Sequence, residues 1–126
     1  MERIKTKAHV IYRDEDGIIH LDIVENAHVD KDSIIALHSI YSQLGYSDKK
    51  LVKVDARAHH TMCNEAMEYL KSDMLDKDRI ATAIISKKLG IRIMIDYFTN
   101  IVKAKSQVKM FSTEPEAIDW LKTFLN

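Results

Sequence analysis

Residues 79–86 read RIATAIIS, and this nearly continuous apolar run decides the predicted fold. A strand with one face in water alternates apolar and polar residues, whereas a strand covered on both faces is apolar almost throughout. We therefore predict that this segment is a central strand of a sheet that is flanked by helices.

Toward the N-terminus, the spacing of apolar residues predicts a strand over residues 51–55 with a helix on each side of it. The first helix begins near Ser33, after acidic residues that suit a helix start, and ends at Gly45. Its predicted inward stripe comprises Ile34, Leu37, Tyr41 and Leu44. The second helix covers residues 62–75, and Thr61 is placed to cap its free amides.

The N-terminal part of the chain has the pattern of a β-hairpin. Residues 8–13 and 18–24 are β-branched and aromatic runs, and Gly17 between them supplies the positive φ that a tight turn requires. Alternation predicts that one face of the hairpin meets the core. The predicted inner face comprises Val10, Tyr12, Ile19, Leu21 and Ile23, and the outer face comprises His9, Arg13, His20 and Asp22.

Toward the C-terminus, we predict a third helix over residues 89–103, a short strand over 108–111 and a final helix. The final helix starts with a capping box from Thr113 to Glu116, and Pro115 lies between them. The predicted fold class is α/β, an N-terminal β-hairpin followed by β-α-β-α-β-α repeats in a mixed, mostly parallel sheet. We predict that residues 1–126 form a single domain.

The composition excludes several classes of protein. Among 126 residues, 19 Lys and Arg balance 19 Asp and Glu, so the net charge predicts neither a nucleic-acid partner nor stable membrane insertion. The single Cys excludes an internal disulfide, and the polar start MERIKTK has no apolar core of a secretory signal. We therefore expect a cytoplasmic protein.

Three segments resemble the small bacterial STAS-like, or SpoIIAA-like, family. They are LVKVDARAHHTMCNEAMEYL at 51–70, DYFTNI at 96–101 and FSTEPEAIDWL at 111–121. The resemblance covers about residues 8–125 and includes the sporulation anti-sigma-factor antagonist and, more distantly, lipid-binding Sec14-like relatives. It rests on the order of elements, an Asp-x-Arg motif at 55–57 and the acidic-aromatic last helix. The resemblance implies a mixed sheet and a regulatory or ligand-sensing role without catalysis.

The chain departs from the antagonist members at their phosphorylation site. Those members carry a Ser in an Asp-Ser-Ser-Gly run at the start of the helix after the middle strand, whereas residues 58–63 read AHHTMC. Thr61 is a chemical substitute, because a phosphate there would face helix-terminal amides. Its simpler interpretation is a plain helix cap.

The loops after the parallel strands form the edge of the sheet where α/β proteins bind ligands. The predicted rim residues are Asp55, Arg57, His59, Thr61 and Lys87. Residues 55–63 also hold two histidines and a thiol, groups that transition metals prefer, but their spacing fits no established zinc pattern. We predict no metal, no cofactor and no catalytic residue. Cys63 with His59 or His60 is the only local alternative for nucleophilic catalysis.

The third helix has more apolar surface than one sheet face needs, since its apolar arc spans about 200° at 100° per residue. The central stripe comprises Ile91, Met94, Ile95, Phe98, Ile101 and Val102, and Ile93 and Tyr97 extend its edge. The surplus is either covered within the chain or available to a partner or ligand. The predicted partner or ligand surface comprises Ile93, Met94, Tyr97 and Ile101.

Three functional hypotheses follow from these patterns. The leading one is a non-enzymatic STAS-like regulatory domain that binds a protein partner or a second copy of itself as a homodimer. Uneven charge favours association, because residues 14–30 carry six acids without Lys or Arg, whereas residues 87–109 carry six Lys and Arg and one Asp. The alternative is a small apolar or lipid-like ligand between the third helix and the sheet. A minor third hypothesis is an enzyme or metalloprotein that uses Asp55, Arg57, His59 and Cys63.

Overall fold

A computed structural model describes residues 3–45, 50–74, 79–97, 99–100 and 106–125. The strands are β1 (Ile4–Lys5), β2 (His9–Arg13), β3 (Ile19–Ile23), β4 (Ala27–Val29), β5 (Lys50–Asp55), β6 (His60–Met62), β7 (Arg79–Ile85) and β8 (Gln107–Phe111). The helices are α1 (Lys31–Gln43), α2 (Asn64–Met74), α3 (Leu89–Tyr97) and α4 (Glu114–Lys122).

Six strands form one sheet in the order β1-β2-β3-β5-β7-β8. The pairs β1–β2 and β2–β3 are antiparallel, and the remaining pairs are parallel. This topology confirms the predicted α/β fold with an N-terminal hairpin and a mixed, mostly parallel sheet. β7 lies between β5 and β8 and is buried almost throughout, as its apolar sequence predicts.

The two faces of the sheet are covered differently. Successive crossovers through α1, α2 and α3 all advance in one direction along the sheet, so right-handed connections bring these helices to one face. α4 follows the last strand and packs against β5, β7 and β8 on the other face. Ala117 and Leu121 of α4 are fully buried there against Leu51 and Ile85. None of the helices in the described ranges is long and apolar enough to cross a membrane.

The predicted faces of the hairpin are wrong by one residue in β2. Tyr12 pairs with His20 and His9 pairs with Ile23, and directly paired residues of antiparallel strands share a face. Ile11 therefore lies on the buried face with Ile23, while Tyr12 lies opposite, and His9 is only 3% exposed. Three consecutive apolar residues, Val10 to Tyr12, let alternation fit either face, and the pairing of β2 with β3 shows which face is buried.

The predicted cap of α4 is confirmed, the starts of α1 and α2 each lie two residues from the predicted positions, and the predicted cap of α2 is wrong. Asp30 accepts a hydrogen bond from the amide of Ser33 at 2.9 Å, and Thr113 caps α4. Thr61, the predicted cap of α2, instead belongs to β6, which pairs with β4 in a separate two-stranded sheet that the sequence did not predict. Cys63 takes the capping position, and its Sγ accepts from the amide of Ala66 at 3.4 Å.

Two further predictions met different outcomes. Leu44 was placed on the inward stripe of the first helix but is 37% exposed, because the helix ends at Gln43 before that position turns inward. α3 begins at Leu89 as predicted. The predicted continuation through Phe98 and residues 101–103 lies outside the described residues.

Candidate functional site

A cavity of about 240 Å³ lies between the sheet and the helices α1, α2 and α3. Most of its wall is apolar. The sheet contributes Leu21, Ile23, Val54 and Ile84, and the helices contribute Leu37, Met67, Ile91 and Met94. Such a mainly apolar concave space with few polar groups is typical of small-molecule sites.

His9 is one of the few polar groups in the cavity wall, and it is 3% exposed. Burial, with a smaller contribution from the charge of nearby His60, lowers the pKa of His9 from 6.5 to about 4. His9 is therefore neutral near pH 7. Its Nδ1 has no hydrogen-bond partner within the described part of the chain. His60 is held in place because its Nδ1 donates to the carbonyl of Ala58 at 2.7 Å.

Arg79 is the second buried polar group of the cavity and is 7% exposed. Its Nη1 donates a long hydrogen bond of 3.5 Å to Oγ1 of Thr82. Across the described ranges, no acceptor reaches its Nε. The cavity thus holds a guanidinium, a group that stays protonated at physiological pH.

A β-bulge turns Arg79 toward the cavity. Lys50 of β5 pairs with Arg79, but the next residue, Leu51, pairs with Ala81, so Ile80 is the extra residue on β7. In a regular strand, residues three apart point to opposite faces, and a bulge changes this direction. Arg79 and Thr82 therefore share the cavity wall.

A different charged cluster lies on the α4 face of the sheet. The ammonium of Lys53 is fully buried and donates to Oδ1 of Asp22 and to Oε1 of Glu114, both at 2.7 Å. Burial alone would lower the pKa of Lys53, but its hydrogen bonds with the two carboxylates outweigh burial and raise it. The hydrogen bond from Lys53 in turn lowers the pKa of Glu114. This buried cation is fully compensated.

Aromatic and imidazole rings extend that cluster to the hairpin. His20 stacks on Tyr12 with ring centroids 4.4 Å apart, and its Nε2 lies 2.8 Å from Oδ2 of Asp14. Burial raises the pKa of Tyr12, with Asp22 contributing in the same direction. A shallow space beside these rings is bounded by α4, but its wall is polar and open.

The loops of the predicted rim are neighbours. The amide of Ala56 donates to the carbonyl of Ile85 at 3.0 Å, and the amide of Ser86 donates to Phe111 at 3.0 Å. Asp55 and Arg57 form a two-pronged ion pair with distances of 3.0 and 2.7 Å, and the hydrogen bond from Arg57 lowers the pKa of Asp55. This pair lies at the surface, with the side chain of Arg57 50% exposed.

The other rim residues do not converge. His59 and Lys87 are exposed, and Oγ1 of Thr61 lies 2.7 Å from Nδ1 of His28 on the neighbouring strand. Cys63 caps α2 rather than facing an imidazole. Over the described ranges, no three His, Cys, Asp or Glu side chains lie close enough to hold a metal ion.

The predicted surface of α3 divides between the cavity and solvent. Met94 and Ile91 line the cavity, whereas Ile93 is 60% exposed and Tyr97 51% exposed. Leu89, one turn before Ile93, is 71% exposed. Ile101, the fourth residue of the predicted surface, lies outside the described residues.

Sequence reasoning missed His9 and Arg79 as buried polar groups of the cavity. His9 was placed on the outer face of the hairpin, and Arg79 was taken as the start of an apolar strand without a role. The available signal for Arg79 was its position directly before a run that is apolar on both faces. A charged residue at such a position has little access to water and is therefore a candidate buried group.

Comparisons with known proteins define the family. A model of a family described as a domain of unknown function, DUF7793, matches residues 12–125. No curated protein matches the chain. An uncharacterised protein of the DUF3478 family with a SpoIIAA-like fold, from Shewanella loihica PV-4, is similar in structure. Its TM-score is 0.66 at 14% identity over 94% of this chain and 98% of that chain, and this likeness shows the fold alone. The chain belongs to the DUF7793 family and has the SpoIIAA-like fold that its sequence resemblance implied.

Proposed function

We propose that this domain is a non-enzymatic binding module that holds a small apolar ligand in the cavity beneath α3. The observation that carries the proposal is the cavity of about 240 Å³ with its predominantly apolar wall. The cavity lies between α3 and the sheet, which supports the ligand hypothesis drawn from the sequence.

The size of the cavity limits the ligand. At about 30 Å³ for each water-sized group, the space holds roughly eight such groups, so a chain of medium length fits. Met62, Met67 and Met94 contribute to the wall. Because Met is flexible and polarisable, these side chains adapt to ligands of slightly different shape.

The groups that suggested catalysis have structural roles, which supports a non-enzymatic function. The thiol of Cys63 accepts a hydrogen bond at the start of α2. Asp55 is engaged by both the side chain and the amide of Arg57. Neither Cys63 nor Asp55 lines the cavity.

Binding of octan-1-ol provides a direct test, followed by NMR shifts of methyl groups in the cavity wall. We expect saturable shifts at Ile84 and Met94. Met94→Trp places an indole in the cavity and is expected to weaken binding at least tenfold. Ile93→Trp, the matched control on the exposed side of the same helix, is expected to bind like the wild type. Absence of saturable shifts in the wild type would contradict the proposal.

A second candidate function rests on the exposed row of α3. Leu89, Ile93 and Tyr97 follow one another at every fourth residue and are each at least half exposed. Large apolar residues in one exposed row favour contact with a protein partner or a second copy of the chain. Such contact would give the domain the regulatory role that the family resemblance implied.

Light scattering at micromolar concentration tests self-association through this row. We expect a dimer that Tyr97→Glu dissociates while leaving the circular dichroism spectrum unchanged, because an exposed contact residue is not needed for folding. Gln43→Glu adds the same charge at an exposed position at the end of α1 and is expected to leave the dimer intact. If the wild type is a monomer at this concentration, the hypothesis that the domain acts as a homodimer is wrong.

A further inference from the structure

We propose that the cavity takes a medium-chain monocarboxylate whose carboxylate is bound by Arg79. This inference rests on the proposed ligand-binding function and names the chemical class of the ligand. It starts from the guanidinium of Arg79, a buried charged group that an entirely apolar ligand would leave without a partner among the described residues.

Among the described residues, nothing compensates the charge of Arg79. The guanidinium of an arginine carries a positive charge in proteins. The side chain is 7% exposed, and its hydrogen bond to the Thr82 hydroxyl, at 3.5 Å, does not neutralise it. Within the described part of the chain, no acceptor reaches Nε and no carboxylate pairs with the group. Burial of a cation in this way is unfavourable unless an anion joins it.

The fold treats its other buried cation differently. Lys53 is also buried, but Asp22 and Glu114 each lie 2.7 Å from its ammonium. The sheet therefore supplies carboxylates to one of its buried cations. Arg79 is turned by the bulge at Ile80 toward the cavity, where no described carboxylate pairs with it.

The donors of Arg79 match a carboxylate. The guanidinium presents parallel N–H groups that bind the two oxygens of a carboxylate together, and its Nε is available for such a pair. The hydroxyl of Thr82 is beside it and can donate to the same anion. A dianion such as a phosphate monoester would need a second cation, but the other basic residue of the wall, Lys88, lies beyond the opposite end of β7.

The rest of the cavity matches an aliphatic chain. Val54, Ile84 and Met94 provide apolar wall beyond the guanidinium. A volume of about 240 Å³ accommodates roughly eight water-sized groups, which corresponds to a carboxylate with about six to eight carbons.

Calorimetry with two probes of equal chain length tests the inference, octanoate and octan-1-ol at pH 7.5. We expect the wild type to bind octanoate at least tenfold more tightly than octan-1-ol. Arg79→Met is expected to weaken the binding of octanoate at least tenfold and to leave the affinity for octan-1-ol unchanged. Arg79→Lys is expected to keep part of the preference for octanoate over octan-1-ol. Lys71→Met removes one positive charge from the outer side of α2 and is expected to behave like the wild type.

The outcomes separate this inference from the proposed function. Equal affinity of the wild type for the two probes, or full octanoate affinity in Arg79→Met, overturns the carboxylate assignment and leaves ligand binding standing. Failure of both probes to bind the wild type overturns both proposals. If circular dichroism shows that Arg79→Met is unfolded, the wild-type preference and Arg79→Lys decide the question.

Discussion

Among the described residues, each face of the central sheet has one buried Lys or Arg, and the two cations differ in whether a carboxylate pairs with them. On the α4 face, Lys53 has two carboxylates at 2.7 Å. On the helical face with the cavity, Arg79 has only a long hydrogen bond to Thr82 within the described residues. A compensated charge joins elements of a fold, whereas an uncompensated one is a disadvantage to the empty domain that a ligand can remove. The paired cation lies on the face that we expect to contribute most to stability, and the other cation lies on the face to which we assign ligand binding.

The largest expected effect comes from removing the compensation on the α4 face. Asp22→Asn with Glu114→Gln leaves the ammonium of Lys53 buried without an anion, which is expected to lower the free energy of unfolding by about 4 kcal/mol. Urea denaturation at pH 7 measures this loss. Adding Lys53→Met to the same variant is expected to recover most of it, because no buried charge then remains. A loss below about 1 kcal/mol in the double variant would show that water already compensates Lys53.

Acidification is expected to weaken the two faces in successive pH ranges. Because the pKa of His9 falls from 6.5 to about 4 on folding, the unfolded chain binds a proton in this range and the folded domain does not. Stability therefore decreases as the pH falls from 6.5 to about 4, by roughly 3 kcal/mol in total. The pKa of Glu114 lies below its ordinary 4.5, so its contribution is present above pH 4.5 and is lost as the pH falls through the lower folded value.

The pH dependence of the urea midpoint separates these two contributions. His9→Gln is expected to flatten the profile between pH 6.5 and 4 and to retain the loss at lower pH. Retention of the wild-type slope in His9→Gln would assign the upper range to another group.

A smaller effect of opposite sign is expected at the uncompensated cation. Arg79→Met replaces a buried charge by an apolar side chain of similar length and is expected to raise the free energy of unfolding by about 1 kcal/mol or leave it unchanged. Urea denaturation of the domain without ligand measures the change. A decrease of about 2 kcal/mol would show that Arg79 has a structural anion and would remove the contrast between the faces.

The smallest expected effect lies at the exposed rim. Arg57→Ala breaks the pair with Asp55, whose partly exposed charges interact weakly through water, so a loss of about 0.5 kcal/mol is expected. Octanoate affinity is expected to be unchanged, because neither residue lines the cavity. A tenfold loss of octanoate affinity in Arg57→Ala would show that the binding site includes the rim.

Local patterns predicted the parts of the fold that depend on neighbouring residues. The hairpin turn at Gly17, the cap at Thr113 and the apolar strand after Arg79 each follow from a few adjacent residues. The start of α2 was missed because Thr61 pairs with a strand at Ala27–Val29, and a three-residue strand has too little pattern to be seen in sequence.

The candidate site was less predictable because it depends on relations between strands. Met94 was correctly assigned to a helix beside the sheet, but the turn of Arg79 toward the cavity arises from the register of β7 against Lys50 and Leu51. The burial of His9 likewise follows from its pairing with Ile23. Neither pairing has a signal within its own segment.

The pair of Lys53 and Glu114 also constrains the order in which the domain is completed. Asp22 precedes Lys53 by 31 residues, whereas Glu114 follows it by 61. During synthesis, which proceeds from the N-terminus, the first carboxylate is available when Lys53 emerges from the ribosome and the second is not yet made. A nascent chain that stops before residue 114 therefore has only one of the two carboxylates that bind Lys53 and an uncovered sheet face, and only the arrival of α4 supplies the second carboxylate and covers that face.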